Sequence, residues 1–452
     1  MPESPDKPHN RDRPDIAARS APVPQGRTRR FLHLGRAVGE MAASAAAGGL
    51  QQLARGERPA LSELMLTPAN ARRLAERLST LRGAALKVGQ LMSLDGQGVL
   101  PPAFAELLGG LRDQAHTMPA TQLAEVLERE YGAAWHRRFK RLSFAPVASA
   151  SIGQVHRAET HDGRVLALKV QYPGVRQSIT SDVANLALLA RTPGLVPAGL
   201  DPAPLLQRVQ EQLLRETDYA AEAAATTEYR ARLGPDAVLG VPEVVAEHCT
   251  AHILATEFAP GTPIADLAHG NATQAQRDHV ALTLSRLAVR EFFQMRLVQT
   301  DPNFGNYLFD AATGRIALLD FGATEPVSDG RVEQLRELGR AQRAGDRAHI
   351  TAAALAAGFI AHEDSASQTE AVVEMMWLAG EPLRHSGPFD FGTSSLVGRV
   401  FDLGHAQFHG EGYARTPPAD LLFFQRKFVG TFMLCARLKA RVDMAEAFAG
   451  EL

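Results

Sequence analysis

The stretch from Val298 to Thr324 constrains the fold of this chain more than any other. It runs Val298-Gln299-Thr300-Asp301-Pro302-Asn303-Phe304-Gly305-Asn306-Tyr307-Leu308-Phe309, turns through Asp310-Ala311-Ala312-Thr313-Gly314-Arg315, and continues Ile316-Ala317-Leu318-Leu319-Asp320-Phe321-Gly322-Ala323-Thr324. Two apolar runs around a segment of Asp, Thr and Gly predict loop, strand, turn, strand, loop. That pattern sets three polar side chains, Asp301, Asn306 and Asp320, at the mouths of one hairpin.

Kinase-like phosphoryl transfer needs a carboxylate near the attacking oxygen and oxygen ligands for Mg²⁺, because spread charge must be neutralised and held in line. An Asp-x-x-x-x-Asn loop followed by Asp-Phe-Gly supplies both, and Asn306 stands at that offset from Asp301, with Asp320 behind an apolar strand. Asp301 is expected to orient or deprotonate the nucleophile, and Asn306 and Asp320 to hold the metal. The tripeptide alone is a weak signal, since it recurs at Asp390-Phe391-Gly392. That copy follows Ser386-Gly387-Pro388-Phe389 instead of an apolar strand, has no Asp-x-x-x-x-Asn before it, and reads as a loop.

A chain of 452 residues with 45% hydrophobic content can build two domains or one large two-lobed one. A net charge of -2 gives no basic field for nucleic acid. The two cysteines, Cys249 and Cys435, are far apart in apolar surroundings, which suits a reducing compartment and buried spectator thiols. Met1 to Gly26, rich in Pro, Asp and Arg, is no secretory signal and reads as disordered. No segment is apolar enough for a membrane span. The nearest, Phe31 to Leu53, carries Arg36 and Glu40, and its many Gly and Ala residues suit close approach of a helix or a lipid surface.

Helices are expected over Phe31–Gly56, Asn70–Leu94, Pro102–Arg112 and Thr121–Tyr131. The second carries Lys87-Val88-Gly89-Gln90, where a glycine inside a helical pattern points to close backbone approach. From Ser143 the pattern shortens into strands with a hairpin at His161-Asp162-Gly163, and Lys169 ends an apolar strand, where a kinase lysine reaches the α- and β-phosphates. In place of a glycine-rich loop stand Ala148, Ser149, Ala150, Ser151, Ile152 and Gly153. Small side chains still let backbone N–H groups approach phosphate oxygens, although each Cβ restricts φ and stiffens the loop.

Pro204 to Leu233 reads as one helix with Glu216 and Glu222 on faces about 120° apart, so the two glutamates serve different partners. Glu222 suits Lys169. The apolar run Ile253–Phe258 ends at a hinge whose backbone at Glu257 and Ala259 is expected to bind the adenine edge. Gln274 to Met295 is the helix leading to the catalytic loop. After Thr324 the chain passes directly to helices (Asp329–Arg343, Arg347–Ala357, Ser367–Ala379, Leu396–Phe408, Ala419–Arg441), with no Ala-Pro-Glu element. The platform with which protein kinases hold a peptide is therefore missing.

Taken together, Lys87-Val88-Gly89-Gln90, Ala150-Ser151-Ile152-Gly153-Gln154-Val155-His156, Glu216-Thr217-Asp218-Tyr219 with Glu222-Ala223, Gln299-Thr300-Asp301-Pro302-Asn303 and Leu319-Asp320-Phe321-Gly322-Ala323-Thr324 resemble the UbiB family of aarF-domain, protein-kinase-like proteins. Gln299-Thr300-Asp301-Pro302-Asn303 and the tail Phe428–Ala440 look closest to its coenzyme Q branch. The resemblance covers roughly Arg30 to Val442. It implies an α+β, two-lobed kinase-like fold with a small β-rich N-lobe, a helical C-lobe and an N-terminal helical extension packed over the active site. The divisions expected are a tail (1–30), the extension (31–140), the N-lobe with inserted helices (141–260) and the C-lobe (261–452).

By matching positions, Lys87 pairs with Glu216 beneath the extension, and Lys169 with Glu222. Also implied are binding of ATP or ADP, Mg²⁺-dependent ATP hydrolysis in support of ubiquinone biosynthesis, and an extension that disfavours phosphorylation of proteins in trans. Nucleotide, membrane lipid or a quinone precursor, and ubiquinone-biosynthesis enzymes are the expected partners, with a homodimer through the extension and no nucleic acid. The expected location is cytoplasmic, peripheral at the inner face of a membrane. Ser149 in place of the middle alanine of the family's triplet bears on nucleotide selectivity, and Gln299 stands where many bacterial members have histidine. Two other classes stay open: a nucleotide-gated scaffold without chemistry, and a small-molecule kinase.

Overall fold

The computed structural model describes residues 118–190, 203–270, 272–301, 303–410 and 418–452. The tail, most of the extension and Lys87 lie outside the described residues. The chain divides by internal contacts into two compact units, and the division within the described part falls between Leu213 and Leu214.

The first unit opens with α1 (Ala120–Tyr131), which buries Leu123, Val126 and Leu127 at helical spacing. Gly132 ends it at φ 84°, a backbone region that glycine enters without a Cβ penalty. An antiparallel sheet follows: β1 (Arg141–Leu142), β2 (Ala148–Ser149), β3 (Gly153–Glu159) and β4 (Val165–Gln171). The long β3–β4 hairpin runs in register from Gly153 opposite Gln171 to Glu159 opposite Val165. Its loop is His161-Asp162-Gly163, a three-residue connection with Gly163 at φ 90°. Leu166, Leu168 and Val170 of β4 are fully buried on one face. Period-two alternation therefore leaves Lys169 on the opposite face. Helices α2 (Val175–Ala190) and α3 (Ala203–Glu216) follow.

The second unit takes in the last turn of α3 and continues with α4 (Tyr219–Leu233), capped by the Asp218 carboxylate, which accepts from the Ala221 N–H. The single helix expected over 204–233 is thus two helices broken at Thr217-Asp218. Asp218 takes the backbone donors of a new helix, so Glu216 ends one helix while Glu222 lies in the first turn of the next. The 120° separation expected on one continuous helix therefore does not apply to this pair.

β5 (Leu239–Gly240), β6 (Ile253–Glu257) and β7 (Thr262–Pro263) come next. The run Val241–Val245 forms no strand beyond a bridge between Val244 and Thr256. Helix α5 (Gln274–Arg290) starts with a Thr273/Gln276 capping box and continues as a π-helical turn, Glu291–Met295, closed by Arg296 at φ 53°. Then come β8 (Leu297–Gln299), β9 (Tyr307–Asp310), β10 (Arg315–Leu318) and β11 (Thr324–Pro326). β9 and β10 form the expected hairpin, with Leu318 opposite Tyr307, inside a sheet of order β5-β10-β9-β7.

The remainder is helical: α6 (Asp329–Ala344), α7 (Arg347–Ala357), α8 (Ala366–Ala379), the short α9 (Glu381–Arg384), then β12 (Phe389–Asp390), α10 (Leu396–Gly410), α11 (Ala419–Arg437), β13 (Arg441–Val442) and α12 (Met444–Ala447). One apolar core joins α4, α5, the hairpin and the C-terminal helices, with Phe292, Phe321, Ile316 and Leu421 buried in it. Among the described residues, no helix is long and apolar enough to cross a membrane.

Candidate functional site

The two halves of the Val298–Thr324 stretch are stitched together by backbone. β8 pairs with β11, the Thr300 N–H and hydroxyl both donate to the Ala323 carbonyl at 2.8 and 3.0 Å, and the Leu319 N–H donates to the Asn306 carbonyl at 2.8 Å. Asp301, Asn306 and Asp320 therefore come to one end of the β9–β10 hairpin. Asn303 accepts from the Gly305 N–H and starts the tight turn Phe304–Asn306, which carries Asn306 inward. Asn306 is buried, and among the described residues its amide nitrogen has no hydrogen-bond partner. A carboxamide exchanges oxygen and nitrogen by a half-turn of its side chain, so this end can present an oxygen to a cation.

Asp320 sits at φ 61°, the left-handed region that costs a non-glycine residue roughly 1 kcal/mol or more. The Gln299 side chain holds it there, donating to the Asp320 carbonyl at 2.7 Å and the Leu319 carbonyl at 3.2 Å. Phe321 is buried against the Tyr229 ring, 4.5 Å between centroids. A Cβ on Gly322 would stand 3.5 Å from Asp320 Oδ1 and 4.0 Å from Glu222 Oε2. The buried Glu222 carboxylate thus lies beside the turn.

Behind Gln299 is a buried network that no sequence pattern singles out. Glu291 and Lys427, 1% and 3% exposed, form an ion pair at 2.5 Å. Glu291 also accepts from the Tyr229 hydroxyl at 2.6 Å and the Gln299 N–H at 3.3 Å, and Lys427 donates to the Gln299 carbonyl at 3.2 Å. The Tyr307 hydroxyl donates to Gln299 Oε1 at 3.0 Å. Burial pushes Glu291 up, opposed by the Lys427 charge. Burial also works against the charge of Lys427, but the Glu291 carboxylate outweighs it and holds the ammonium above its usual range. Burial first, then the Glu291 charge, raises Tyr229 well above the ordinary phenol value, and burial raises Tyr307 as well. Both phenols are consequently neutral donors.

In the first unit, β2 and β3 enclose the loop expected to meet phosphate. Ser149 is opposite Gln154, and the Ala150 N–H donates to the Gly153 carbonyl at 2.9 Å, which closes the turn over Ser151 and Ile152. No residue from 148 to 153 has a positive φ, so this loop folds without glycine's freedom. Lys169 is half-buried on β4 opposite Val155. Gln154 and His156, both fully buried, are joined at 2.7 Å, with the Gln154 carbonyl accepting from the Met118 N–H and His156 Nδ1 at 2.8 Å from the Ser143 carbonyl. Burial lowers the His156 pKa, so the ring is neutral: Nδ1–H donates to Ser143, and Nε2 accepts from Gln154.

Of the remaining candidates, Glu257 uses its N–H on the Glu243 carbonyl at 2.9 Å, and Ala259 follows two residues on. Glu216 is half-buried at the end of α3. The second Asp-Phe-Gly has a structural role, in which Asp390 Oδ1 accepts from the N–H groups of Gly392 and Thr393, and Oδ2 pairs with Arg441 at 3.5 Å. Burial pushes the Cys435 thiol up to about 12, which makes it inert. Among the described residues there is no cluster of three or more His, Cys, Asp or Glu suited to a metal. The candidate metal ligands are one carboxylate, Asp320, and one carboxamide, Asn306. Such a hard oxygen set suits Mg²⁺, which keeps several of its own waters.

Comparison with known proteins gives a consistent picture. Residues 110–354 match the ABC1 atypical kinase-like domain. The chain is 36% identical to the rat mitochondrial atypical kinase COQ8B, over 96% of this chain and 83% of that protein. It is 33% identical to the mitochondrial atypical kinase COQ8 of Saccharomyces cerevisiae, over 99% and 88%. Among solved structures, Rv3197 of Mycobacterium tuberculosis, determined with erythromycin, superposes with a TM-score of 0.59 at 26% identity, over 85% of this chain and 96% of that one.

Proposed function

The chain belongs to the ABC1 atypical kinase-like (UbiB) family, on its coenzyme Q side, with the α+β kinase-like fold expected from its motifs, and we propose that it is a Mg²⁺-dependent ATPase supporting ubiquinone biosynthesis. The observation that carries this reading is the convergence of Asp301, Asn306 and Asp320 on one hairpin end, with the Asp320 backbone locked to the catalytic loop by Gln299. Asp301 is the base or orienting carboxylate. Asn306 and Asp320 are the metal ligands, and the unpartnered amide end of Asn306 supports that assignment. Bound Mg²⁺ would neutralise phosphate charge. Lys169 is the proposed ligand of the α- and β-phosphates, and Glu222, which lies beside the Asp320 turn, is the glutamate proposed for it. The Ala148–Gly153 turn covers the phosphates with backbone N–H groups. The adenine edge meets the Glu257 carbonyl, since the Glu257 N–H is already used, and the Ala259 N–H.

Lys87 of the extension is assigned to Glu216, which limits access of a protein substrate. Membrane lipid or a quinone precursor is the proposed regulator, and the protein sits peripherally on a membrane. The test is phosphate release from ATP and Mg²⁺, with and without anionic liposomes and a phenolic quinone-precursor mimic. Turnover that rises with liposomes and is lost in Asp301→Asn supports the reading. Nucleotide binding with no turnover above that variant in any condition replaces it with a nucleotide-gated scaffold.

A further inference from the structure

We infer that the buried Glu291–Lys427 pair is the positioning device of the catalytic loop, acting on Asp301 and Asp320 through the peptide and side chain of Gln299. The inference rests on the phosphoryl-transfer reading of Asp301, Asn306 and Asp320. Stability alone does not account for the pair. Removing two charges from water is costly, and well-packed apolar side chains of similar volume often serve as well or better. The surroundings are apolar enough to take them, since Phe292 packs on Phe424 and Phe428 at 5.1 and 5.6 Å.

The partners of the pair account for it. Lys427 pairs with the Glu291 carboxylate and donates to the Gln299 carbonyl. Glu291 takes the Gln299 N–H on one oxygen together with the Tyr229 hydroxyl. Both polar atoms of the Gln299 backbone are thereby clamped, two residues before Asp301. The Gln299 side chain, fixed by Tyr307, is free only to reach forward to Leu319 and Asp320. Tyr229 extends the same clamp to Phe321 by ring contact, and it lies two helical turns from Glu222 on α4.

The π-helical turn has a purpose here. It places Glu291 at the point where α5 gives way to β8, and wide turns of this kind recur at functional sites. From the other side, α11 contributes Lys427 and also Arg437, whose guanidinium lies 5.6 Å from the Phe304 ring of the catalytic loop. One C-terminal helix therefore holds the loop before and after Asp301.

The test uses the full chain and the double variant Glu291→Leu/Lys427→Met, which removes both charges and leaves neither unpaired. The expected result is a folded chain, kcat lower by about 10²-fold, and a KM for ATP within about twofold, because a misplaced catalytic group costs turnover more than binding. The Mg²⁺ concentration for half-maximal rate rises as well. A folded double variant with wild-type kcat and Mg²⁺ dependence overturns the inference. Should the double variant not fold, Tyr307→Phe decides, since it keeps the ion pair and removes only the hydroxyl that fixes the Gln299 side chain. About a fivefold loss of kcat at unchanged KM is expected of it, the worth of one hydrogen bond, and unchanged kcat overturns the inference. Absence of Mg²⁺-dependent turnover in wild type is a failure of the ATPase reading. The Mg²⁺-dependent part of ADP affinity then decides: present in wild type and lost in the double variant supports the positioning role, and equal or absent in both overturns it.

Discussion

The second unit contains the tripeptide Asp-Phe-Gly twice, and the two copies stand in different surroundings. At Asp390 both carboxylate oxygens are engaged locally, by the N–H groups of Gly392 and Thr393 and by Arg441, and Phe389 pairs with Val442 in a two-residue ladder. This is a corner that ties the end of α11 to the rest of the unit. At Asp320 the backbone is left-handed, its carbonyl is gripped by Gln299, and its carboxylate stands near Glu222 and the catalytic loop. The three residues are identical. Their neighbours differ, so the proposed chemistry rests on the clamp and not on the tripeptide.

Substitutions should separate the two copies. The largest effect is expected for Asp320→Asn, which removes one ligand charge and lowers kcat for ATP by about 10³-fold, or about 4 kcal/mol. Asp390→Asn keeps the turn acceptors and loses only a part-exposed ion pair, so a stability loss below about 1 kcal/mol is expected, with wild-type turnover. Equal losses of turnover in the two variants would erase the contrast.

Next comes the clamp. Lys427→Met alone leaves Glu291 buried without its counter-charge, and urea titration should show a loss of about 3–5 kcal/mol. The glycines invert the order of the first pair. A Cβ on Gly392 would meet the Lys439 Cβ and Cα at 2.8 and 3.0 Å, so Gly392→Ala should cost about 1–3 kcal/mol of stability with turnover intact. Gly322 has room for a methyl, at 3.5 Å from Asp320 Oδ1, so Gly322→Ala should keep its stability and lose turnover.

The smallest effect concerns the first unit. His156 has a folded pKa below its ordinary 6.5 because it is buried, so the unfolded chain takes up the proton more readily. Its contribution to stability is full above pH 6.5 and declines as pH falls from there toward the lowered folded value. His156→Gln should flatten that part of a stability profile. An unchanged slope would show that the Met118–Gln154–His156 chain does not sense protons.

What the sequence made legible was local. The β9–β10 hairpin is a statement about neighbours in the chain, where periodicity and turn chemistry decide. Lys169 lies on the expected strand but two residues short of its end, and the expected loop before Asp390 is a two-residue strand, because pairing with Val442 comes from far along the chain. The helix break at Thr217-Asp218 was readable in principle, because an Asp directly before a run of helix formers is a start signal, but the flanking residues carried the helical pattern through it. Glu291 and Lys427 were not readable in that way. Each stands beside an arginine, Arg290 or Arg426, in an otherwise largely apolar helical run, and only the fold decides which charge turns inward and brings the two together. Gln299 stood out as a departure from histidine. Its place in the network explains the tolerance, since a carboxamide donates to the Asp320 carbonyl and still accepts from Tyr307.

The most direct test of the clamped turn as the metal site is calorimetric titration of ADP, with and without Mg²⁺, into the Asp320→Asn and Asp390→Asn variants side by side. Mg²⁺ should no longer strengthen binding to Asp320→Asn but should strengthen binding to Asp390→Asn as it does in wild type. Retention of the full Mg²⁺ effect in Asp320→Asn, or its loss in both variants, would refute the assignment.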